Sequence, residues 1–192
     1  MKIGIVGLGY VGLPLAVSFA EAGREVVGLD ADPGKVEALN AGRSYIEDIA
    51  DAVLAPLGGR LRATTEVAEL GECEAVVICV PTPLTGSREP DLTYLNQAAA
   101  GLAEVLREGQ LVVLESTTYP GTTRERLAPV LERSGLEAGS GFHLAFSPER
   151  IDPGRTDYTV SSTPKLVGGL TAACAERARQ LYELVCEQVV VL

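Results

Sequence analysis

The stretch Lys2–Ala16, KIGIVGLGYVGLPLA, decides how the rest of the chain is read. An apolar run with the character of a buried strand gives way at once to Gly7, Gly9 and Gly12. Their spacing is G-x-G-x-x-G, placed where a strand hands over to a helix. There the first glycine permits a tight turn. The second lets a pyrophosphate approach the backbone, and the third lets the helix pack closely on the sheet. Pro14 has no N–H and fits only the first helical turn, which sets the helix start near Val11. Tyr10 and Val11, between the glycines, belong to the same loop. The free N–H groups there carry roughly half a positive charge and suit an anion.

Glycines in this pattern can also serve tight packing alone. The next strand weighs against that reading. EVVGL (Glu25–Leu29) ends at Asp30, 18 residues after Gly12. A carboxylate there accepts hydrogen bonds from both ribose hydroxyls of adenosine and repels a 2′-phosphate, so the expected cofactor is NAD rather than NADP. Lys35 is a nearby cation that softens the repulsion.

Outward from this unit, continuous Val- and Ile-rich runs recur: EAVVICV, QLVVLES, FHLAFS, KLVGG and QVVVL. Such runs read as strands buried on both faces. Between them lie helical segments with recognisable ends. The segment after Gly12 stops at Gly23. DPGKVEALNAG starts on Asp32 and ends at Gly42. DLTYLNQAAAGLAEVLREG is capped by Asp91 and stops at Gly109, and TTRERLAPVLERSG and TAACAERARQLYELV follow. The expected fold is α/β: a doubly wound, mostly parallel, Rossmann-like sheet in three layers, with 1–192 as one dinucleotide-binding domain. Two long loops, Pro81–Asp91 and Ser147–Pro164, follow strands and belong at the carboxyl edge of the sheet, where such folds bind ligands. QVVVL reads as a core strand, so the chain reads as a fragment.

Composition narrows the partners. The chain has 192 residues, 46% of them apolar, and a net charge of −10. That balance argues against nucleic acid or an anionic membrane, which need clustered Lys and Arg. Four cysteines without a CxxC pair and a single histidine argue against a zinc site or a disulfide framework. No signal peptide or membrane-length run is present, and the expected setting is the cytoplasm.

Three further stretches narrow the chemistry: VPTP (Val80–Pro83), ESTTYPGTT (Glu115–Thr123) and SPERIDPG (Ser147–Gly154). With GLGYVGLPLA and PDLTYL, in this order, they make the chain resemble the nucleotide-sugar 6-dehydrogenases, the family of UDP-glucose and UDP-N-acetylhexosamine dehydrogenases. The resemblance covers Met1–Leu192 and only that family's N-terminal, cofactor-binding half. It implies oxidation of C6 of a nucleotide sugar from alcohol to acid with two NAD. By the same resemblance, a cysteine captures the aldehyde stage, the adduct is oxidised to a thioester by the second NAD, and the thioester is hydrolysed. By motif match, Thr118 would hold the hydrolytic water and Glu149 would manage protons. Val80, Pro81, Thr82, Ser116, Thr117, Thr118 and Glu149 would join Gly7, Gly9, Tyr10, Val11, Gly12, Asp30 and Lys35 around the cofactor. Glu149, Arg150 and Arg155 would face the UDP-sugar. Residue by residue, other readings stay open: a helix cap for Thr118, a surface charge for Glu149, a turn residue for Thr82 and solvated loop charges for the two arginines. His143 reads as strand packing, with a hydride-transfer base as its alternative.

Two departures from the family pattern matter. The UDP-glucose branch usually has a second Glu four residues after Glu149. Pro153 stands there instead, a form similar to the UDP-N-acetylglucosamine and UDP-N-acetylmannosamine branch, which supplies surface-polysaccharide precursors. The family's Gly-rich cysteine segment, its central helix with Lys and Asn, and its sugar-binding domain have no counterpart here. Cys73, Cys79, Cys174 and Cys186 lack the flanks of a nucleophile. The expected behaviour is NAD binding without turnover. The resemblance implies a full-length homodimer through the central helix; for the isolated chain two readings stay open, a monomer or association through the edge near Val189–Leu192. Competing readings are a β-hydroxyacid-type dehydrogenase, against which SPERIDPG argues, and a stand-alone NAD-binding regulatory module.

Overall fold

The computed structural model describes residues 1–86, 89–149 and 160–192. Its strands are β1 (Lys2–Val6), β2 (Glu25–Leu29), β3 (Leu61–Thr64), β4 (Ala75–Ile78), β5 (Leu111–Leu114), β6 (His143–Phe146), β7 (Lys165–Gly169) and β8 (Val189–Val191). They form one sheet in the order β3-β2-β1-β4-β5-β6-β7-β8. The first six run parallel; Ile3, for example, pairs with Val26 on one side and Ala75 on the other. The helices are α1 (Gly12–Glu21), α2 (Pro33–Asn40), α3 (Asp51–Leu54), α4 (Thr93–Val105), α5 (Ala128–Leu131) and α6 (Ala172–Tyr182).

Both sheet faces are covered, as continuous apolar strands require. Ile3, Ile5 and Val77 pack with Phe19 of α1 and Leu181 and Tyr182 of α6. Val76, Ile78 and Val112 pack on the other face with Leu95 and Leu102 of α4 and Leu131 of α5. This is the three-layer, doubly wound sheet expected from the sequence. The helix starts have local causes: the Asp32 carboxylate accepts from the Gly34 N–H at 2.8 Å, and the Thr171 hydroxyl accepts from the Cys174 N–H at 3.2 Å.

Several elements depart from the sequence expectation. β3 was not among the expected runs, because LRAT carries Arg62 and Thr64 at the sheet's edge and shows no apolar run. The last strand is not in the core: Val191 is 44% exposed, and β8 is the outermost strand. β7 pairs antiparallel with β6, so the sheet reverses direction at its far end. The α4 helix stops at Val105, with Leu106 as its C-cap, and Gly109 serves the turn into β5 instead. Asp91 lies one residue before the N-cap, Leu92, and accepts from the Thr93 N–H at 2.9 Å. The helix expected over TTRERLAPVLERSG is a π-helical turn, Thr122–Leu127, followed by α5. Pro129 lacks the N–H that would bond back four residues, which favours the wider turn. Among the described residues, no helix is long and apolar enough to cross a membrane.

Candidate dinucleotide site

The chain leaves β1 toward β2 on one side of the sheet and returns to β4 on the other. Between them lies the switch point at which open α/β sheets leave a crevice beyond the strands' carboxyl ends. A cavity of about 730 Å³ opens there.

The loop after β1 forms the first wall. Gly7 adopts φ +90°, and a Cβ on it would lie 2.9 Å from the Cys79 carbonyl oxygen. A Cβ on Gly12 would lie 1.9 Å from the Gly7 carbonyl oxygen and 3.2 Å from Cys79 Cβ. Gly12 therefore faces protein and, unlike Gly7, Gly9, Tyr10 and Val11, does not line the cavity. Nothing lies within 4 Å of a Cβ built on Gly9. The Leu13 N–H bonds to the Gly9 carbonyl at 3.0 Å, while the Tyr10, Val11 and Gly12 N–H groups donate to no backbone acceptor among the described residues. Three free donors at a helix start beside an open glycine fit a dinucleotide's diphosphate.

The second wall follows β2. Asp30 Oδ2 accepts from the Leu8 N–H at 2.8 Å and from Lys35 Nζ at 3.3 Å, and Oδ1 accepts from the Asp32 N–H at 3.0 Å. The carboxylate is thereby fixed at the cavity wall, with Lys35 turned toward it. Tyr45 braces the loop, donating to the Leu8 carbonyl at 2.9 Å. Its half-buried phenol is pushed up by burial, then by the charges of Asp30 and Asp32.

The far wall comes from the loops after β4, β5 and β6. Val80, Pro81, Thr82, Ser116, Thr117 and Glu149 all line the cavity. Two hydroxyls staple the first two loops together. Ser116 Oγ donates to the Val80 carbonyl at 2.8 Å, and Thr82 Oγ1 donates to the Thr117 carbonyl. The Thr82 hydroxyl thus addresses the neighbouring loop. Thr118 is half-buried next to Thr117 but does not itself line the cavity. It caps no helix, since Gly121 holds the N-cap of the following turn. Glu149 is half-buried in the wall rather than a free surface charge. Ser87, Arg88, Arg150, Pro153 and Arg155 lie outside the described residues. His143 begins β6 at the sheet's opposite edge, with Nδ1 3.8 Å from Cys174 Sγ, and does not line the cavity. Burial first, then Arg177, holds its pKa below the usual value.

Some of the wall was not expected from sequence. Tyr94, Gln97 and Gly101 of α4 and Val67 close the side near Asp30. Their spacing along the helix puts the first three on one face. Gly101 was the available signal, because a mid-helix glycine costs about 1 kcal/mol relative to alanine. Cys79 and Glu115 also reach the wall.

The four cysteines are all free and buried. Burial, the largest cause, pushes the Cys73 and Cys186 thiols up to about 11 and the Cys79 thiol well above the usual value. A thiol reagent at neutral pH is therefore expected to find almost no reactive cysteine in the native protein and all four after unfolding. Rapid native labelling of any one of them would contradict this.

A glycine turn with free amides, a fixed carboxylate after the second strand and a crevice at the switch point define a dinucleotide-binding α/β domain of the doubly wound class. Residues 1–186 match the model of the UDP-glucose/GDP-mannose dehydrogenase family, NAD binding domain, and the chain belongs to that family. It is 41% identical over 183 residues to the UDP-N-acetyl-D-glucosamine 6-dehydrogenase of Pseudomonas aeruginosa, covering 95% of this chain and 43% of the relative. It is 40% identical over 186 residues to the UDP-N-acetyl-D-mannosamine dehydrogenase of Pyrococcus horikoshii, covering 95% of this chain and 44% of the relative. The solved UDP-D-ManNAc dehydrogenase of Pyrococcus horikoshii superposes with a TM-score of 0.93 at 38% identity, covering all of this chain and 46% of that one. The chain therefore spans less than half the length of these relatives. Membership of this family sets aside the β-hydroxyacid dehydrogenase reading.

Proposed function

We propose that this chain is the NAD-holding part of an enzyme that oxidises C6 of a UDP-N-acetylhexosamine from alcohol to carboxylate with two NAD. The observation that carries the reading is one cavity bounded by Asp30 at one end and Glu149 at the other. In a doubly wound sheet the half beginning at β1 receives the adenosine, and the half beginning at β4 receives the nicotinamide. When bound, NAD supplies a hydride acceptor. Asp30 would orient the adenosine ribose, and the free amides of Tyr10, Val11 and Gly12 would hold the diphosphate. The Ser116 and Thr82 staples would shape the nicotinamide end.

The proton and water roles of Glu149 and Thr118 rest on the family resemblance, as does the assignment of Arg150 and Arg155 to the UDP-sugar. The place of Glu149 in the cavity wall supports its role. The sugar class is supported by Pro153 in the sequence and by the substrates for which the relatives are named. Four buried thiols, three of them held up in pKa, support a chain that binds NAD but lacks the nucleophile for the second oxidation. A nucleophile-bearing sugar-binding domain and a central helix would belong to a partner segment.

Calorimetric titration of the purified chain with NAD, followed by assay for NADH with UDP-N-acetylglucosamine and UDP-N-acetylmannosamine, tests this. Binding without NADH formation is expected. Absence of NAD binding would sink the cofactor role, and steady turnover would sink the division of labour.

A further inference from the structure

From Glu115 in the far wall an ion pair runs back into the core, and the proposed chemistry does not use it. Lys165 Nζ, at the start of β7, donates to Glu115 Oε1, and the Tyr182 hydroxyl, at the end of α6, donates to Glu115 Oε2. The Lys165 and Glu115 side chains are 7% and 1% exposed, and among the described residues no other ion pair is so deeply buried on both sides. Lys165 Nζ also stands 4.9 Å from the centre of the Tyr182 ring. Taking two charges out of water costs several kcal/mol per ion before their attraction offsets it, so such a pair is weak evidence of a stabilising device. What it supplies is two opposite charges held at fixed positions away from the surface.

The pair adjoins the cavity. Glu115 is the residue just before Ser116, whose hydroxyl staples the nicotinamide end. Cys79, in the wall beside Glu149, feels Glu115, Lys165 and Glu149 together. The carboxylate and the ammonium cancel, so the cluster adds almost no net potential at this end. Reduction of NAD removes one positive charge from the nicotinamide ring and leaves the rest of the molecule's charge unchanged. Any net charge behind this wall therefore acts on the difference between the two oxidation states and not on the adenosine end.

We propose that Glu115 and Lys165 form a charge-balanced backing to the nicotinamide end and set the site's preference between the cationic oxidised ring and the neutral reduced one. This rests on the NAD reading of the cavity. Glu115 and Lys165 are positioning and tuning residues: they need not touch the cofactor. The balance keeps the oxidised ring from being repelled by a bare ammonium, and keeps it from being held by a bare carboxylate too tightly to be exchanged after reduction.

The test is calorimetric affinity for NAD+, NADH and ADP-ribose with the wild-type chain, Glu115→Gln, Lys165→Met and the double variant. Glu115→Gln leaves a bare ammonium and is expected to raise the ratio Kd(NAD+)/Kd(NADH) about tenfold, the effect of one unit charge acting over about 12 Å at an effective dielectric near 20. Lys165→Met is expected to lower the ratio. The double variant restores neutrality and is expected to return it to within about twofold of wild type. ADP-ribose, which lacks the nicotinamide ring, is expected to bind all four alike. Should Glu115→Gln not fold, Lys165→Met carries the test with the opposite sign. Tyr182→Phe, which removes a hydrogen bond and no charge, must then leave the ratio unchanged. An unmoved ratio in the folded single variants, or equal losses of ADP-ribose and dinucleotide, overturns the inference and leaves a packing role. Failure of the wild-type chain to bind either dinucleotide overturns the cavity reading itself, and this inference with it.

Discussion

Gly12→Ala is expected to abolish NAD binding and to lower the stability of the domain. The added methyl would lie 1.9 Å from the Gly7 carbonyl oxygen, a backbone atom that cannot swing aside. To relieve the overlap, α1 must move away from the turn at Gly7, or the turn must open. Either shift scatters the amides of Tyr10, Val11 and Gly12, which are useful to a diphosphate only as a set. Overpacking typically costs 1–3 kcal/mol, and a clash with backbone belongs at the upper end, about 3 kcal/mol. The midpoint of urea unfolding reads the stability and calorimetry reads the affinity. Gly9→Ala is the control: nothing lies within 4 Å of its Cβ, so the fold should keep its midpoint while the methyl takes up space in the cavity and NAD affinity falls. A Gly12→Ala chain that binds NAD as the wild type does would refute the packing role of this glycine.

Asp30→Ala is expected to weaken NAD by about 10- to 100-fold and to erase discrimination against NADP. The loss in affinity follows from charge-assisted hydrogen bonds to the ribose hydroxyls, worth about 1.5–3 kcal/mol. The change in selectivity has a second source. Lys35 Nζ, now 3.3 Å from Asp30 Oδ2, would lose its carboxylate and stand free to meet a 2′-phosphate. The Leu8 N–H would lose its acceptor as well, so some loosening of the glycine turn should accompany the change. Parallel titrations with NAD and NADP give the ratio directly. If the variant still prefers NAD by the wild-type margin, selectivity resides elsewhere in the cavity.

The sequence carried most of this architecture because its strongest signals were local. Continuous apolar strands, the glycine turn and the Asp32 cap each depend on a few neighbouring residues, and each produced the element expected. The departures came where distant parts of the chain decide. LRAT becomes β3 only because β2 offers it an edge, and nothing in its composition announces a strand. QVVVL looks like core, yet β8 has a partner on one side only. In the site, the glycines and Asp30 were readable from spacing. The α4 face was not, since Tyr94, Gln97 and Gly101 become a wall only when α4 lies across from Val67. Thr82 does line the cavity, but the bond its hydroxyl makes to the Thr117 carbonyl, 35 residues away, had no signal in the sequence. The Glu115, Lys165 and Tyr182 cluster was equally hidden, being drawn from three elements far apart in sequence.

The central place of β1 has a consequence for how this chain is made. Its two partners are β2, which follows soon after, and β4, which begins only at Ala75. At a synthesis rate of about 5–20 residues per second, one edge of β1 waits several seconds for its neighbour. Throughout that interval a strand of Ile and Val presents unpaired backbone groups, the kind of edge that invites pairing with another nascent chain. β1 is thus completed only when the second half of the sheet begins to arrive.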